Sequence, residues 1–76
     1  MKNLVLNIVR MLVDHPEDVR CTTLQGASTV ILELRCNRGD VGKVIGKDGK
    51  TVGAIRTLLG VMAARKRYKA VLEVVE

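Results

Sequence analysis

Val44-Ile45-Gly46-Lys47-Asp48-Gly49-Lys50-Thr51-Val52 is the most telling stretch of the chain. An apolar pair runs into a glycine, two polar residues and a second glycine follow, and apolar character returns at Val52. Such punctuation ends one helix and opens another across a tight turn. Gly46 supplies a backbone conformation that a side chain would strain, and Gly49 presents no side chain to an approaching molecule. The N–H groups at the start of the second helix, at the positive end of its dipole, face the same space. Lys47 and Lys50 add mobile positive charge. A turn of this make-up suits a phosphodiester backbone, held without reading its bases.

Just upstream, Asp40 is placed to cap a short helix in which Val41, Val44 and Ile45 recur at helical spacing, with Lys43 adding a third positive charge. Downstream, the second helix carries Val52, Ile55, Leu59 and Met62 on one face and runs to Arg67. Val41, Val44, Ile45 and Val52 are expected to form an aliphatic floor beside the turn, on which unpaired bases lie, and such a floor selects single strands. Asp48 is an acid among lysines. It is expected to cap the second helix by accepting an N–H three residues on. The predicted binding set is therefore Val41, Lys43, Val44, Ile45, Gly46, Lys47, Asp48, Gly49, Lys50 and Val52.

Further out, the polar residues Asn3, Asn7, Arg10 and Asp14 form one narrow helical stripe in an otherwise apolar run, which predicts an amphipathic helix closed by His15-Pro16. His15 has a structural role at that corner. Val19–Gln25 and Thr29–Asn37 read as strands around Gly26-Ala27-Ser28, the second turning Val30, Leu32, Leu34 and Cys36 inward and Ile31, Glu33 and Arg35 outward. Pairing about Ala27 sets Cys21 opposite Glu33 and Cys36 opposite Asp18. The two thiols then do not meet and are ordinary buried cysteines. Tyr68–Glu76 is a last strand with Ala70, Leu72 and Val74 on one side. The order α-β-β-α-α-β predicts an α+β fold, a three-stranded sheet with helices packed on one face, as one domain over residues 1–76.

Charge is divided unevenly along the chain. Residues 35–69 hold ten Lys or Arg against Asp40 and Asp48, giving +8, while the rest holds three bases against six acids, giving −3. That concentrates positive potential on one part of a small protein, as a polyanion-binding surface requires. Arg65, Lys66, Arg67 and Lys69 form a second basic cluster about 22 Å along the helix from Lys50, read first as a solvated helix end favoured by the dipole and, as the alternative, as an outer contact for a longer strand. Gly53, Thr57, Gly60 and Ala64 make a stripe of small residues on the same helix, where a glycine costs about 1 kcal/mol relative to alanine. Something is expected to approach that stripe closely.

Several classes of function are excluded. One histidine and scattered acids assemble no catalytic set and no metal-ligand cluster, so no enzyme, metal, cofactor or small-molecule substrate is expected. Gly49-Lys50-Thr51 imitates the end of a phosphate-binding loop of nucleotide hydrolases, but the glycine needed five residues earlier is Val44. With no Phe, no Trp and only Tyr68, recognition by aromatic stacking is ruled out. No apolar stretch approaches 18 residues and no cleavage site follows the first helix, so a cytoplasmic protein without membrane contact is expected. At 76 residues, stability is marginal unless a second subunit helps.

The turn resembles the VIGxxGxx[IV] core of the KH domain with every defining position filled, and the order of elements is similar to its type II arrangement. Leu12-Val13-Asp14-His15-Pro16, Asp40-Val41-Gly42-Lys43-Val44-Ile45-Gly46, Ala54-Ile55-Arg56-Thr57 and the closing Tyr68-Lys69 strand resemble the stand-alone bacterial KhpA family. The resemblance implies binding of short single-stranded RNA, a role as RNA chaperone or post-transcriptional regulator, and pairing as a homodimer or with a larger KH-containing protein. Two other readings stay open at this point: a protein-interaction subunit in which RNA contact is secondary, and binding of single-stranded DNA.

Overall fold

The computed structural model describes residues 1–75, and the expected element order is present. It runs α1 (Lys2–Leu12), β1 (Arg20–Gln25), β2 (Thr29–Arg35), α2 (Val41–Ile45), α3 (Lys50–Arg65) and β3 (Lys69–Val75). Short 3-10 turns at Pro16–Asp18, Arg38–Asp40 and Lys47–Gly49 join them. In α1 the residues four apart, Val5 and Val9, are fully buried, whereas Met11 and Leu12 are exposed, so its apolar face is narrower than the composition suggests. The helix stops at Leu12 and not at Asp14, because the backbone N–H groups of Asp14 and His15 are drawn into bonds with the Asp40 carboxylate.

The hairpin register is one residue off expectation: Cys21 pairs with Leu34, not Glu33, and Gln25 with Val30. The turn is the cause. Gly26 donates to the Thr29 carbonyl at 2.8 Å, leaving Ala27-Ser28 as a two-residue loop where three residues were expected. Cys36 lies past the end of β2, so the thiols do not face each other; Cys21 is buried, Cys36 half-buried and both are free. Strand β2 ends at Arg35 because the Asn37 side chain accepts the Gly39 N–H at 2.9 Å and starts the next turn.

Strand β2 is central, antiparallel to β1 and parallel to β3, with Leu32 beside Leu72. A parallel neighbour needs a long crossover, and α2 with α3 supplies it. Leu32, Leu34 and Leu72 from the sheet pack against Val5, Val9, Val44, Val52, Ile55 and Leu59 in one buried cluster. The buried stripe of α3 ends on Ala63, with the expected Met62 only half-buried at its margin. Helix α3 closes at Arg65, two residues early. There Tyr68 donates to the Ala63 carbonyl and Arg67 to Ala64, with Arg67 in the left-handed region at φ 60°. The final strand begins at Lys69 rather than Tyr68; the expected end at Glu76 lies outside the described residues. Among the described residues, no helix is long and apolar enough to cross a membrane.

Candidate nucleic-acid interface

Gly46 ends α2 at φ 77° and ψ 172°, a region open in practice only to glycine. A Cβ there would also come within 2.2 Å of Thr51 Oγ1 and 2.9 Å of the Thr51 nitrogen. Asp48 and Gly49 follow in left-handed conformations, at φ 56° and 74°. Gly46 N–H bonds back to the Gly42 carbonyl at 2.9 Å, and Gly49 N–H to Gly46 at 3.1 Å, so the turn is tied at both glycines. No side chain caps the start of α3, and this corrects the expected role of Asp48. Its left-handed backbone carries the carboxylate off the helix end, and Asp48, Lys47 and Lys50 are all exposed. The donors at the head of a 16-residue helix are thus not consumed by the protein's own acids.

Beside the turn opens a cleft of about 560 Å³ lined by Val41, Ile45, Arg56, Glu73, Val74 and Val75. Val41 and Ile45, one helical turn apart, form its apolar wall. Val44 and Val52, expected in the floor, are 0% and 6% exposed and belong to the core beneath it. They shape the wall without being reachable. Arg56 was not foreseen. Its Nε and Nη2 donate to the Leu72 carbonyl at 3.2 and 3.0 Å, which fixes the guanidinium at the rim. Arg56 follows a core residue of α3, but its meeting with β3 depends on a parallel register that no local pattern encodes.

Lys43 stands roughly 200° around α2 from Val41, away from the cleft. Its Nζ lies 2.7 Å from Asp14 Oδ2 and 3.6 Å from Asp40 Oδ1. The hydrogen bond and charge of Asp14 raise its pKa above the ordinary lysine value. Asp40 was expected to cap α2 and does not. It is buried, and its carboxylate accepts from Asp14 N–H at 3.2 Å, His15 N–H at 3.0 Å and His15 Nδ1 at 3.2 Å. Burial, the largest influence, pushes its pKa up. The two backbone N–H groups and the His15 ring outweigh burial, and the pKa lies below the usual carboxylate range. His15 is therefore a structural partner of Asp40.

Arg65, Lys66, Arg67 and Lys69 lie exposed at the far end of α3, where Lys69 N–H bonds to Ser28 of the hairpin turn. They are at the opposite end of the helix from the glycine turn.

Residues 2–74 match the family model described as KhpA/KhpB, KH domain. A protein of Chlamydia muridarum named RNA-binding protein KhpA is 49% identical over 76 residues, covering 100% of this chain and 97% of that one. Proteins of the same name from Clostridium perfringens and Listeria monocytogenes are 44% and 41% identical, over 99% and 100% of this chain and 100% of each relative. No solved structure matches the chain.

Proposed function

The chain belongs to the KhpA/KhpB KH-domain family, and from that membership and the cleft's geometry we propose that it binds short single-stranded RNA segments across the turn and the cleft. One observation carries the reading: a cleft walled by Val41 and Ile45 opens beside a turn whose Lys47 and Lys50 are exposed, at the head of a helix that no side chain caps. A single strand lays its backbone on Gly46–Gly49, with Lys47 and Lys50 as counter-ions, and turns its bases onto Val41 and Ile45. The edge of β3 supplies the polar contacts. Leu72 turns its carbonyl to Arg56 on the unpaired edge, and backbone groups alternate along a strand, so Val74 N–H and C=O open on that same edge. A duplex keeps its bases stacked and reaches neither wall. Few fixed side-chain donors line the cleft, which fits broad specificity and the role of a cytoplasmic RNA chaperone or regulator, with no catalytic step.

Self-association belongs to the same reading. A Cβ built on Gly53 or Gly60 meets nothing within 4 Å, and beside that stripe Leu58 and Val61 are 50% and 59% exposed. Neither α1 nor the sheet makes the close approach that the small residues allow. We assign that approach to a second copy of this helix or to a larger KH-containing partner.

Titration of the isotopically labelled protein with an unstructured RNA of about eight nucleotides tests the groove by NMR. Resonances of Val41, Ile45, Gly46, Lys47, Gly49, Arg56 and Val74 are expected to move first. Movement confined to the open face of the sheet, at Leu24 and Ile31, contradicts the assignment. Equal movement with single-stranded DNA means that the groove does not read the sugar.

A further inference from the structure

Asp40 is the one buried charged or polar side chain among the described residues, at 1% exposure. All its near partners belong to the corner between α1 and β1 or to α2: Asp14 N–H, His15 N–H, His15 Nδ1 and the more distant Lys43. Its next neighbour in sequence, Val41, is a wall of the cleft. Helix α2 has only five residues, too few to hold a position by its own hydrogen bonds, and it contributes a single fully buried side chain, Val44. The Asp40 carboxylate ties the residue just before that helix to the corner.

We infer that Asp40 is a positioning residue of the groove: its carboxylate fastens the start of α2 to the Asp14-His15 corner and so sets where Val41, Ile45 and the glycine turn stand against β3. The inference rests on the RNA-binding reading of that groove and adds a residue that touches no RNA.

Charge and position make opposite demands, which gives the test its sign. Removing an acid from a polyanion-binding protein strengthens binding by electrostatics alone. Removing the positioning group weakens it. Asp14→Asn deletes an exposed charge beside Lys43 but keeps the Asp14 N–H that Asp40 needs, and is expected to bind RNA as tightly as the parent or more tightly. Asp40→Asn is expected to bind roughly fivefold or more weakly. Its dependence on salt should be unchanged, because no phosphate contact is lost. A folded Asp40→Asn protein that binds equally or more tightly overturns the inference.

His15→Ala removes only the ring donor, and covers the case in which Asp40→Asn does not fold. A two- to threefold loss of affinity is expected; no loss overturns the inference. In the free Asp40→Asn protein, or His15→Ala if the former is unfolded, the amide resonances of Ile45 through Gly49 are expected to shift. Changes limited to the mutated residue's immediate neighbours also overturn it. Should the parent protein bind no RNA at all, the groove reading falls, while the amide shifts still decide whether Asp40 holds α2.

Discussion

Gly46 and Gly49 close the same turn for different physical reasons, and substitution separates them. Gly46→Ala drives a methyl group into Thr51 and forces a φ of 77° on a residue with a Cβ; a loss of about 2–3 kcal/mol in stability, with loss of RNA binding, is expected in chemical denaturation and binding assays. Gly49→Ala finds open space and pays only for its left-handed backbone, about 1 kcal/mol. Equal costs at the two positions would contradict the turn geometry. Asp40 makes a second prediction. A depressed folded-state pKa contributes stability that is complete above the unfolded value and lost as pH falls through the folded one. Thermal stability should therefore decline from about pH 4 downward, and Asp40→Asn should remove that part of the decline. Both glycines were legible from their spacing alone. Asp40 was legible as a helix-start residue but not as the acceptor of a corner 25 residues away, since its partners are backbone groups that carry no side-chain signal.

Elements were read well where periodicity is strong and poorly where termini or registers depend on a few bonds. Helix α3 was visible in Val52, Ile55 and Leu59, yet its end was misplaced because Arg67 occupies a left-handed position usually given to glycine. Arg67→Gly should therefore stabilise the protein by about 0.5–1 kcal/mol in urea unfolding, the relieved backbone strain exceeding the entropy added to the unfolded chain. A neutral or destabilising result would argue against that closing conformation. The hairpin shows the other limit. Gly26-Ala27-Ser28 announces a turn without stating whether two or three residues form it, and the choice moves every cross-strand pair by one. The cleft suffers from the same limit. Val41 and Ile45 were foreseen, but Arg56 and Val74 enter it only through the parallel pairing of β3 with β2.

At the scale of the molecule, 35 × 22 × 18 Å, helix α3 separates two basic ends: the glycine turn at its head and the Arg65–Lys69 cluster beyond its tail. The exposed apolar and small residues lie between them. Replacing Leu58 with Lys puts a charge in that strip without touching the core; the proposed self-association predicts a shift toward monomer in sedimentation at unchanged helicity, and an unaltered mass would contradict association through that strip. At the head of that helix, the turn is proposed to hold the phosphate backbone of a single strand. Its most direct test is equilibrium binding of a short unstructured RNA and its duplex, measured over a salt series for the parent chain and for Lys47→Asp. The single strand is expected to bind better than the duplex, and affinity to fall with salt. Lys47→Asp should cost at least tenfold, about 1.4 kcal/mol, with helicity intact. Equal affinity for duplex and single strand, or an unchanged affinity in folded Lys47→Asp, would mean that RNA binds elsewhere on the fold.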